Sequence, residues 1–439
     1  MQNWLKQLDK NIMRFLQSIG EKADREDCAA FVVGGVVRDL ILKRDNLDLD
    51  IVLEADAVKF AQEFSREYDA SVIVYKQFKT ATIVFSNGLK IDFATARKES
   101  YPYRGALPVV RDGAIHDDLS RRDFTINALA IQLNKNQFGQ LRDDFQGLPD
   151  LKRRKIRILY DQSFLDDPTR ILRAVRFEQR FYFQIEKKSL DMLKLALKKN
   201  AVSYVKPPRY FEEFKKIFRE EHPEKALQRL KDMGGLDFLK IRFKDFSKIW
   251  KSMKKIEKNL DWYEKQYAAK KIESWLIYFL ALLEGVSVRK MKTIFHEFNF
   301  KKADRKKILS CKNVPGILKR LDLKTINPSQ IFQLLKPLSY ETILFLKAKA
   351  LSPLVIKHIE DFLLKYEAVR LSVDGNDLAY MGIPPGKVMG DILKNILCAK
   401  IDGFVATKED ELKIAQKFYL FPKKFYNCVI DLLSTKQND

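Results

Sequence analysis

The feature that most limits how this chain can fold is a change of sequence pattern near residue 150. From about residue 29 to 135, short β-branched or aromatic runs alternate with helical patterns, which is typical of an α/β region. Beyond residue 150, apolar residues recur at the helical period of 3.6, and strand signals nearly vanish. The sequence therefore predicts a small head of strands and helices, followed by a long all-helical remainder.

Individual elements are predicted from the same patterns. In the head, Asn87 and Gly88 predict a hairpin because both residues tolerate positive φ, and an apolar helix is expected to begin near Phe124. The other elements of the head are strands at 29–33, 47–53, 71–75, 80–85 and 89–93 and helices at 36–42 and 57–67. The remainder is expected to hold helices at 168–181, 187–198, 207–219, 223–233, 245–268, 273–284, 289–298, 328–335, 340–349, 353–368 and 408–418, and one from about 388.

The charge of the chain favours a polyanionic partner. Its 439 residues include 81 Lys and Arg against 58 Asp and Glu, a formal net charge of +23. Such an excess favours contact with nucleic acid or a membrane surface, and the alternative is a solvated Lys-rich surface. At about 100–200 residues per domain, the length corresponds to two to four domains.

The expected compartment follows from what the sequence does not contain. The four cysteines form no C-x-x-C pair and are too few for a disulfide framework. Residues 1–20 lack the apolar core of a signal peptide. The longest apolar run, 275–283, is far short of the roughly 20 residues that span a bilayer. We therefore expect a soluble, cytoplasmic protein with no membrane partner.

The first candidate site combines a glycine pair with a pair of carboxylates. Gly34 and Gly35 lie between a predicted strand and a predicted helix, where a backbone without Cβ atoms can approach a phosphate, and Arg38 can reach the same anion. Asp48 and Asp50 alternate with apolar residues in a strand, so both carboxylates face the same side, about 7 Å apart. Two carboxylates on one face favour Mg²⁺, which takes one or two carboxylates plus substrate phosphates, and a solvated strand face is the alternative.

Asp92 lies on another predicted strand, and the sequence leaves open whether it is a third active-site carboxylate or an ordinary strand-end aspartate. A cluster of Arg121, Arg122 and Asp123 precedes an apolar segment that contains Asn127. An Asp and Arg pair can bind ribose hydroxyls, the Asp accepting and the Arg donating. The alternative is that Asp123 caps a helix and that the arginines are surface charge.

The next segment places an acid and several arginines on one helix. Proline 168 follows Asp167 and predicts a helix start, so Asp167 and Arg170 lie on one side of that helix. An acceptor beside a forked donor matches the edge of cytosine or adenine, which both offer an amine beside an acceptor. Arg173 and Arg176 continue along the helix and can hold a triphosphate, and a salt-bridged surface helix is the alternative. Further on, Arg209 and Glu213 are four residues apart, in pairing range, which favours a structural role in bracing the preceding helix.

These segments, in this order, resemble the class II nucleotidyltransferase family, which comprises bacterial tRNA nucleotidyltransferases (CCA-adding enzymes) and related poly(A) polymerases. The resemblance implies an α+β, polymerase-β-like nucleotidyltransferase head followed by an all-α neck, body and tail, expected at 1–145, 146–230, 231–340 and 341–439. The matching stretches are 34–39 with 48–50, 106–130, 144–151, 166–177 and 209–214, and 374–386 resembles the C-terminal region of long members.

The resemblance also implies roles for single residues. Asp48 and Asp50 would be catalytic and hold Mg²⁺, Arg122 and Asp123 would recognise the ribose, and Asp167 with Arg170 would select C or A without a template. Arg209 and Glu213 would support the base-selecting helix. The nucleotide-binding residues implied are Gly34, Gly35, Arg38, Arg122, Asp123, Asn127, Asp167, Arg170, Arg173 and Arg176. This sequence departs from the family in that the base-selecting motif begins Asp166-Asp167, where Glu-Asp is usual.

The implied activity is addition of C and A to the 3′ end of tRNA from CTP and ATP with Mg²⁺, releasing pyrophosphate. One alternative is a partial activity, either A addition with a separate CC-adding partner enzyme or CC addition alone, and the long, charged loop 98–118 disfavours CC alone. Poly(A) polymerases share the head motifs but often end in a basic tail, unlike 432–439 here. An RNA-binding protein on an inactive transferase scaffold is disfavoured because Asp48 and Asp50 are present. Four histidines are too few for an additional phosphohydrolase domain, so no second activity is expected.

Overall fold

A computed structural model of the chain describes residues 3–45, 48–243, 245–267 and 270–420. The chain divides into two compact units, Met1–Arg242 and Phe243–Asp439. Unit 1 holds a sheet with helices, and unit 2 is helical. The main sheet ends at Arg142, and only two strands of two residues each follow it in the described residues, so the predicted change from strands to helices near residue 150 is confirmed. The finer division into four domains stays a prediction. The described residues do not include Cys428 or the C-terminal segment 432–439, which was compared with a basic tail.

A mixed seven-stranded sheet organises unit 1. Its strand order is β3-β4-β5-β2-β1-β8-β9, in which β2 and β5 are parallel and all other neighbours are antiparallel. Two small two-stranded sheets pair β6 with β7 and β10 with β11. The strands are β1 (Ala30–Val33), β2 (Leu49–Leu53), β3 (Ser71–Tyr75), β4 (Thr80–Val84), β5 (Lys90–Thr95), β6 (Arg97–Ser100), β7 (Val109–Asp112), β8 (Ala130–Gln132), β9 (Leu141–Arg142), β10 (Lys155–Ile156) and β11 (Gln184–Ile185).

The helices of unit 1 pack on the sheet and then continue beyond it. They are α1 (Lys10–Arg25), α2 (Gly35–Ile41), α3 (Ala57–Glu67), α4 (Ile115–Ser120), α5 (Gly147–Lys152), α6 (Ser163–Asp166), α7 (Thr169–Phe181), α8 (Lys187–Lys198), α9 (Pro207–Ile217) and α10 (Pro223–Asp232). On one face of the sheet, Phe60 and Phe64 of α3 pack against Phe93 of β5, with ring centroids 5.9 and 6.2 Å apart. On the other face, Ile115 and Leu119 of α4 close a buried cluster with β1 and the end of β2.

The Asn87-Gly88 hairpin is confirmed. It joins β4 to β5, Gly88 has a φ of 85°, and the Phe85 amide donates to the Leu89 carbonyl at 2.9 Å. The helix expected to begin near Phe124 is wrong. The structure has only a 3-10 turn, Thr125–Asn127, followed by β8, so the apolar run there is a buried strand entry. A short apolar run is compatible with a buried helix and with a buried strand, so its composition alone does not distinguish the two.

Unit 2 consists of helices α11 (Phe246–Gln266), α12 (Ser274–Leu282), α13 (Val288–Glu297), α14 (Lys302–Ser310), α15 (Val314–Leu321), α16 (Pro328–Leu335), α17 (Tyr340–Lys349), α18 (Pro353–Asp361), α19 (Gly375–Tyr380), α20 (Lys387–Ile401) and α21 (Lys408–Leu420). The expected helix at 353–368 continues from α18 as a π-helical turn, Phe362–Tyr366. Within the described part of the chain, the helices are too short or too polar for any to traverse a bilayer.

Candidate active site

The turn between β1 and α2 requires glycine at its first position. Gly34 has a φ of 75°, a conformation that other residues rarely adopt. A Cβ atom at Gly34 would also collide with Nη1 of Arg122. Gly35 begins α2 and lines the central cavity. The glycine pair therefore lets the Arg122 guanidinium lie directly against the backbone at the start of α2.

Three carboxylates share one face of the sheet. Asp48 immediately precedes β2 and is exposed. Asp50 lies two residues further along, within β2, and is half-buried. The parallel pairing of β2 with β5 places Asp92 directly beside Asp50. On the next strand, the Thr82 hydroxyl donates to Asp92 Oδ1 at 2.5 Å. Asp92, which the sequence left open, thus lies with the predicted pair.

This crowding changes the acidity of Asp50. Burial raises its pKa, the nearby Arg122 guanidinium lowers it, and the negative charges of Asp92 and Asp48 raise it again, to a net value of about 6. Burial contributes most to this raised pKa, and the like charges of Asp92 and Asp48 add to it. A divalent cation bound by these oxygens would remove the repulsion, so the donor set fits the hard, oxygen-preferring Mg²⁺.

A buried aspartate orients the two arginines that follow α4. Asp118 has no exposed surface and accepts from Arg121 Nη2 at 2.6 Å and from Arg122 Nη2 at 2.9 Å. Burial raises the pKa of Asp118, but both arginines outweigh it and hold that pKa below the ordinary value. Sequence reasoning missed Asp118, although its spacing of three and four residues from the arginines is the spacing of helical ion pairs.

A chain of buried hydrogen bonds runs from α2 to the predicted ribose-binding aspartate. Arg38 is 4% exposed and forms a bidentate pair with Asp39, with both contacts at 2.8 Å. Its Nη1 donates to Asn127 Oδ1 at 2.6 Å, and Asn127 Nδ2 donates to Asp123 Oδ1 at 2.8 Å. The Arg38 guanidinium also lies 4.5 Å from the ring centroid of Phe181. Arg38 therefore has protein partners here, and its predicted contact with the triphosphate stays a prediction.

Asp123 joins the head to helix α7. Its Oδ2 accepts from Arg173 Nε at 2.8 Å, fifty residues away in sequence, and its Oδ1 accepts from the Phe124 amide. Burial raises the pKa of Asp123, but Arg173 and the Asn127 amide outweigh burial and lower that pKa to about 2. Asp123 is therefore an ionised acceptor, and no α-helix begins after it for it to cap.

Asp167 lies at the start of α7 and has two kinds of partner. Its Oδ1 accepts from the Thr169 amide and hydroxyl, at 3.1 and 2.6 Å. Its Oδ2 accepts from Arg209 Nη2 at 2.9 Å, and Arg209 Nη1 donates to the Gly105 carbonyl at 3.3 Å. Arg209 thus pairs with Asp167 and not with Glu213, the residue that its helical spacing suggested, and its supporting role stays a prediction.

Arg170 is 4% exposed and is held by four groups around the cavity. Its Nη1 donates to Ser163 Oγ at 2.6 Å and to the Tyr160 hydroxyl at 3.4 Å. Its Nη2 donates to the Arg121 carbonyl at 2.7 Å and to the Tyr101 hydroxyl at 3.4 Å. The contacts to the two tyrosines are the long and therefore weak ones.

Arg176 and Glu213 extend the polar wall. Arg176 Nη1 donates to Glu220 at 3.1 Å, while its buried Nε has no hydrogen-bond partner in the part of the chain that the structure describes. Glu213 lies 3.8 Å from Arg173 and bonds Lys216 at 2.5 Å, so it braces α7 and not Arg209. A buried donor without a partner is costly and suits a site that receives an acceptor from a ligand.

One cavity of about 1090 Å³ gathers these side chains. Every predicted site residue except Gly34 lines it, and Gly34 lies beside it at the β1–α2 turn. Sequence reasoning missed Glu99 and Tyr101, which also line it. The Glu99 carboxylate is 6% exposed and accepts from Arg97, Arg121 and Tyr101. No spacing signal connects Glu99 with Arg121, because only the ribbon of β6 and β7 brings them together.

Comparisons with known proteins agree with this arrangement. Residues 30–157 match the family described as the poly A polymerase head domain, and residues 183–242 match a probable RNA- and SrmB-binding site of polymerase A. The chain is 33% identical over 93% of its length to an A-adding tRNA nucleotidyltransferase of Geobacter sulfurreducens, but it spans only 47% of that protein. It is 32% identical to the A-adding tRNA nucleotidyltransferase of Halalkalibacterium halodurans, over 94% of each chain.

Among solved structures, the Thermotoga maritima CCA-adding enzyme complexed with tRNA is similar. It shares 33% identity, with a TM-score of 0.71, over 94% of this chain and 97% of that one. The similarity to the Halalkalibacterium halodurans and Thermotoga maritima proteins covers nearly the full length of each, and the head domain matches as well. This chain belongs to the class II nucleotidyltransferase family, among the tRNA nucleotidyltransferases.

Proposed function

We propose that this chain transfers the adenylate of ATP to the 3′ end of a tRNA that ends in CC, with release of pyrophosphate. The observation that carries the proposal is that three carboxylates on one sheet face share a cavity with Asp123, Asp167 and Arg170. Addition of A is the step that enzymes named A-adding and CCA-adding have in common, and similar proteins carry both names.

Asp48 and Asp50 would hold Mg²⁺, with Asp92 beside them. Once bound, the ion supplies Lewis-acid stabilisation of the reacting phosphate and favours the ionised acceptor hydroxyl. The protein's part is to keep these oxygens on one face at fixed spacing. Thr82 contributes by donating to Asp92 and so fixing the rotation of that carboxylate.

Asp123 and Arg122 bind the sugar of the incoming nucleotide. Asp123 is ionised because its pKa is lowered to about 2, and an ionised carboxylate accepts from ribose hydroxyls, which would share Oδ2 with Arg173. Arg122, oriented by Asp118, supplies donors from the other side. Because Asn127 and Arg173 hold Asp123 before any substrate binds, little reorganisation is needed on binding.

Asp167 and Arg170 read the edge of the base. The amine of adenine or cytosine donates to Asp167, and the Arg170 guanidinium donates to the neighbouring ring atom after its long contacts to Tyr101 and Tyr160 are exchanged for the base. Uracil and guanine present a carbonyl where the amine is required, so Asp167 rejects them. The Arg209 contact fixes which oxygen of Asp167 faces the cavity.

The triphosphate lies between the glycine turn and α7. Gly34 and Gly35 have no Cβ atoms, so a phosphate can approach the backbone there, and Arg173 and Arg176 extend from the opposite wall of the cavity. The buried Arg176 Nε is a donor suited to a phosphate oxygen. In this arrangement the pyrophosphate leaves toward Arg173 and Arg176.

Addition of the whole CCA sequence is the second candidate. It is favoured by the full-length similarity to an enzyme named CCA-adding. The loop 98–118, part of which forms the ribbon of β6 and β7, disfavours CC addition alone and does not separate full CCA addition from A addition. An A-only enzyme would depend on a separate enzyme to supply CC. Poly(A) synthesis is less favoured, because the full-length relatives are named for tRNA.

The test uses purified protein with Mg²⁺ and three tRNA transcripts that end at the discriminator base, at C and at CC. Each receives CTP, ATP or both, and products are resolved to single nucleotides. One A added to the CC transcript supports the proposal, and completion of all three transcripts extends it to full CCA addition. Long A ladders would indicate a poly(A) polymerase, and no extension by the wild type would overturn the proposal. Asp48→Ala is the inactive control.

A further inference from the structure

The sheet face that carries the three carboxylates continues past them to an uncovered edge. Pairing in register aligns Asp50, Asp92, Thr82 and Ile73 across β2, β5, β4 and β3, and it aligns Thr80 with Tyr75 beside them. Residues paired in this way point to the same side of the sheet. The row from Asp50 to Ile73 covers three strand spacings, roughly 14 Å.

The uncovered edge of this face carries large apolar side chains. Ile73 and Tyr75 are each 49% exposed, while α3 packs on the opposite face of β3, β4 and β5. A strand with one solvated face normally places polar residues there. An exposed aromatic and an exposed aliphatic side chain next to a catalytic cavity therefore indicate a surface that is covered by a ligand.

The cavity itself joins this surface to the carboxylates. Tyr75, Thr80 and Thr82 line the same space of about 1090 Å³ as Asp48 and Asp50. That volume slightly exceeds the range of about 300–1,000 Å³ for single-ligand pockets. The nucleotide-binding groups lie on the other side of Asp50, toward the β1–α2 turn and α7, so the Tyr75 side remains for the second substrate.

The chemistry of the proposed reaction assigns that side to the RNA. The attacking and leaving oxygens lie roughly in line through the phosphorus. Because the pyrophosphate leaves toward Arg173 and Arg176, the acceptor hydroxyl must approach from the opposite direction, over Asp92. The exposed Lys76 and Lys90 flank the surface and suit a phosphate backbone.

We infer that Ile73, Tyr75, Thr80 and Thr82 form a platform for the 3′-terminal nucleotide of the acceptor RNA, with the Tyr75 ring stacked on its base. This inference rests on the proposed function. Stacking on an aromatic side chain tolerates every base, because each base has a π face. The platform would therefore hold the end of the primer in place whichever base it carries.

The experiment compares a tRNA that ends in CC with the same tRNA whose last nucleotide lacks its base. AMP incorporation at saturating ATP gives kcat/KM for each RNA with wild type, Tyr75→Ala and Tyr75→Phe. Loss of stacking is expected to lower kcat/KM about tenfold, as is typical of one stacked base. Tyr75→Ala with the normal tRNA, and wild type with the tRNA that lacks its last base, should each show this fall in kcat/KM. Tyr75→Ala with the tRNA that lacks its last base should show no further fall. Tyr75→Phe should behave as wild type, and the KM for ATP should not change.

The platform would be contradicted if the falls in kcat/KM from Tyr75→Ala and from the missing base multiply, or if Tyr75→Ala shows no fall while the wild type is active. Either result leaves the proposed function unaffected. A wild type that extends no tRNA would overturn both. Tyr75→Leu keeps the strand apolar without a ring, and it replaces Tyr75→Ala if that variant does not fold. Phe78→Ala is the matched control, because Phe78 is 42% exposed nearby but outside the cavity.

Discussion

The two sides of the cavity treat charge in opposite ways. On the sheet side, Asp48, Asp50 and Asp92 bring like charges together on one face. On the α7 side, acids and arginines alternate, and Arg173 pairs with Asp123 while Arg209 pairs with Asp167. The sheet side thus concentrates negative charge of the kind that a bound cation would neutralise, whereas the α7 side pairs its acids with arginines.

Two aspartates in this cavity show the difference in measurable form. The pKa of Asp50 is raised to about 6, and that of Asp123 is lowered to about 2, although both start from the same ordinary value. Burial acts on both in the same direction, so the neighbouring charges decide the outcome. By linkage, the ionised form of Asp50 costs the fold stability at neutral pH, whereas the ionised form of Asp123 stabilises it.

The largest expected effect comes from removing charge on the sheet side. Asp50→Asn should lower the rate of nucleotide addition at least ~10³-fold, because a metal ligand supports several kcal/mol of charge stabilisation and each 1.36 kcal/mol is tenfold in rate. Its melting temperature without metal should stay equal or rise, since a repelled charge is removed. Single-turnover incorporation and thermal unfolding measure the two quantities.

The matched control is Asp69→Asn, an exposed aspartate on the loop before β3 with a positive φ that asparagine tolerates. It should change neither rate nor melting temperature. A marked drop in the melting temperature of Asp50→Asn would mean that Asp50 belongs to the supporting framework, and the contrast between the two sides would be lost.

The second effect tests the α7 side. Asp123→Ala should destabilise the protein by about 3 kcal/mol, at the low end for breaking a buried ion pair because Arg173 is partly exposed. It should also lower activity roughly 100-fold, in keeping with the loss of charged hydrogen bonds to the ribose. Urea unfolding and steady-state kinetics give the two values.

The double variant Asp123→Ala, Arg173→Met separates stability from activity. Removing both charges relieves the unpaired arginine, so most of the lost stability should return while activity stays low. Recovery of activity together with stability would show that Asp123 acts only through the fold and does not bind the sugar.

The same contrast explains what the sequence allowed us to predict. Asp48 and Asp50 are two residues apart in one strand, so period-two geometry alone places them on one face. Asp123 and Arg173 are fifty residues apart, and only the packing of α7 on the head brings them together. Sequence reasoning named each as a site residue, but it did not predict the pair that they form.

The contacts and elements that the sequence did not predict also depend on tertiary packing. Glu99 contacts Arg121 through the ribbon of β6 and β7, which no local pattern marks. The helix expected near Phe124 failed because apolar composition does not distinguish a buried strand entry from a helix. Eight of the eleven described helices of unit 2 were predicted from their own periods, whereas α14, α15 and α19 were missed. The helical period itself says nothing of chemistry.

The third effect is on base choice. Arg209→Met removes the donor that fixes Asp167 Oδ2, so Asp167 gains freedom to rotate. We expect the preference for ATP over GTP to fall about tenfold, as one charged hydrogen bond of about 1.5 kcal/mol is lost, with a smaller fall in the rate with ATP. Competition assays with the two nucleotides measure this preference.

Arg66→Met, on the exposed surface of α3, is the control for the loss of one positive charge. It should leave the preference unchanged. Equal losses with ATP and GTP in Arg209→Met would contradict a role of Arg209 in positioning Asp167 and would leave it a general support of α9.

The smallest effect on activity is expected in unit 2, where one buried carboxylate follows the rule of the α7 side. Glu411 is fully buried and accepts from the Ser372 and Val373 amides, at 2.8 and 2.9 Å, and from Lys400. Burial raises the pKa of Glu411, but Lys400 and the two amides outweigh burial and lower it. Glu411→Gln should therefore cost stability at pH 7, by about 2 kcal/mol, as for hydrogen bonds to a charged group.

The sign of the pH dependence follows from the lowered pKa. The ionised Glu411 stabilises the fold above the unfolded pKa of about 4.3, and this contribution disappears as pH falls through the lower pKa of the folded protein. Thermal unfolding from pH 7 to pH 3 should show the gap between wild type and Glu411→Gln closing at the acidic end. The exposed Glu409→Gln should show no gap at any pH. A gap that persists at pH 3 would mean that the shape of Glu411, and not its charge, stabilises this part of unit 2.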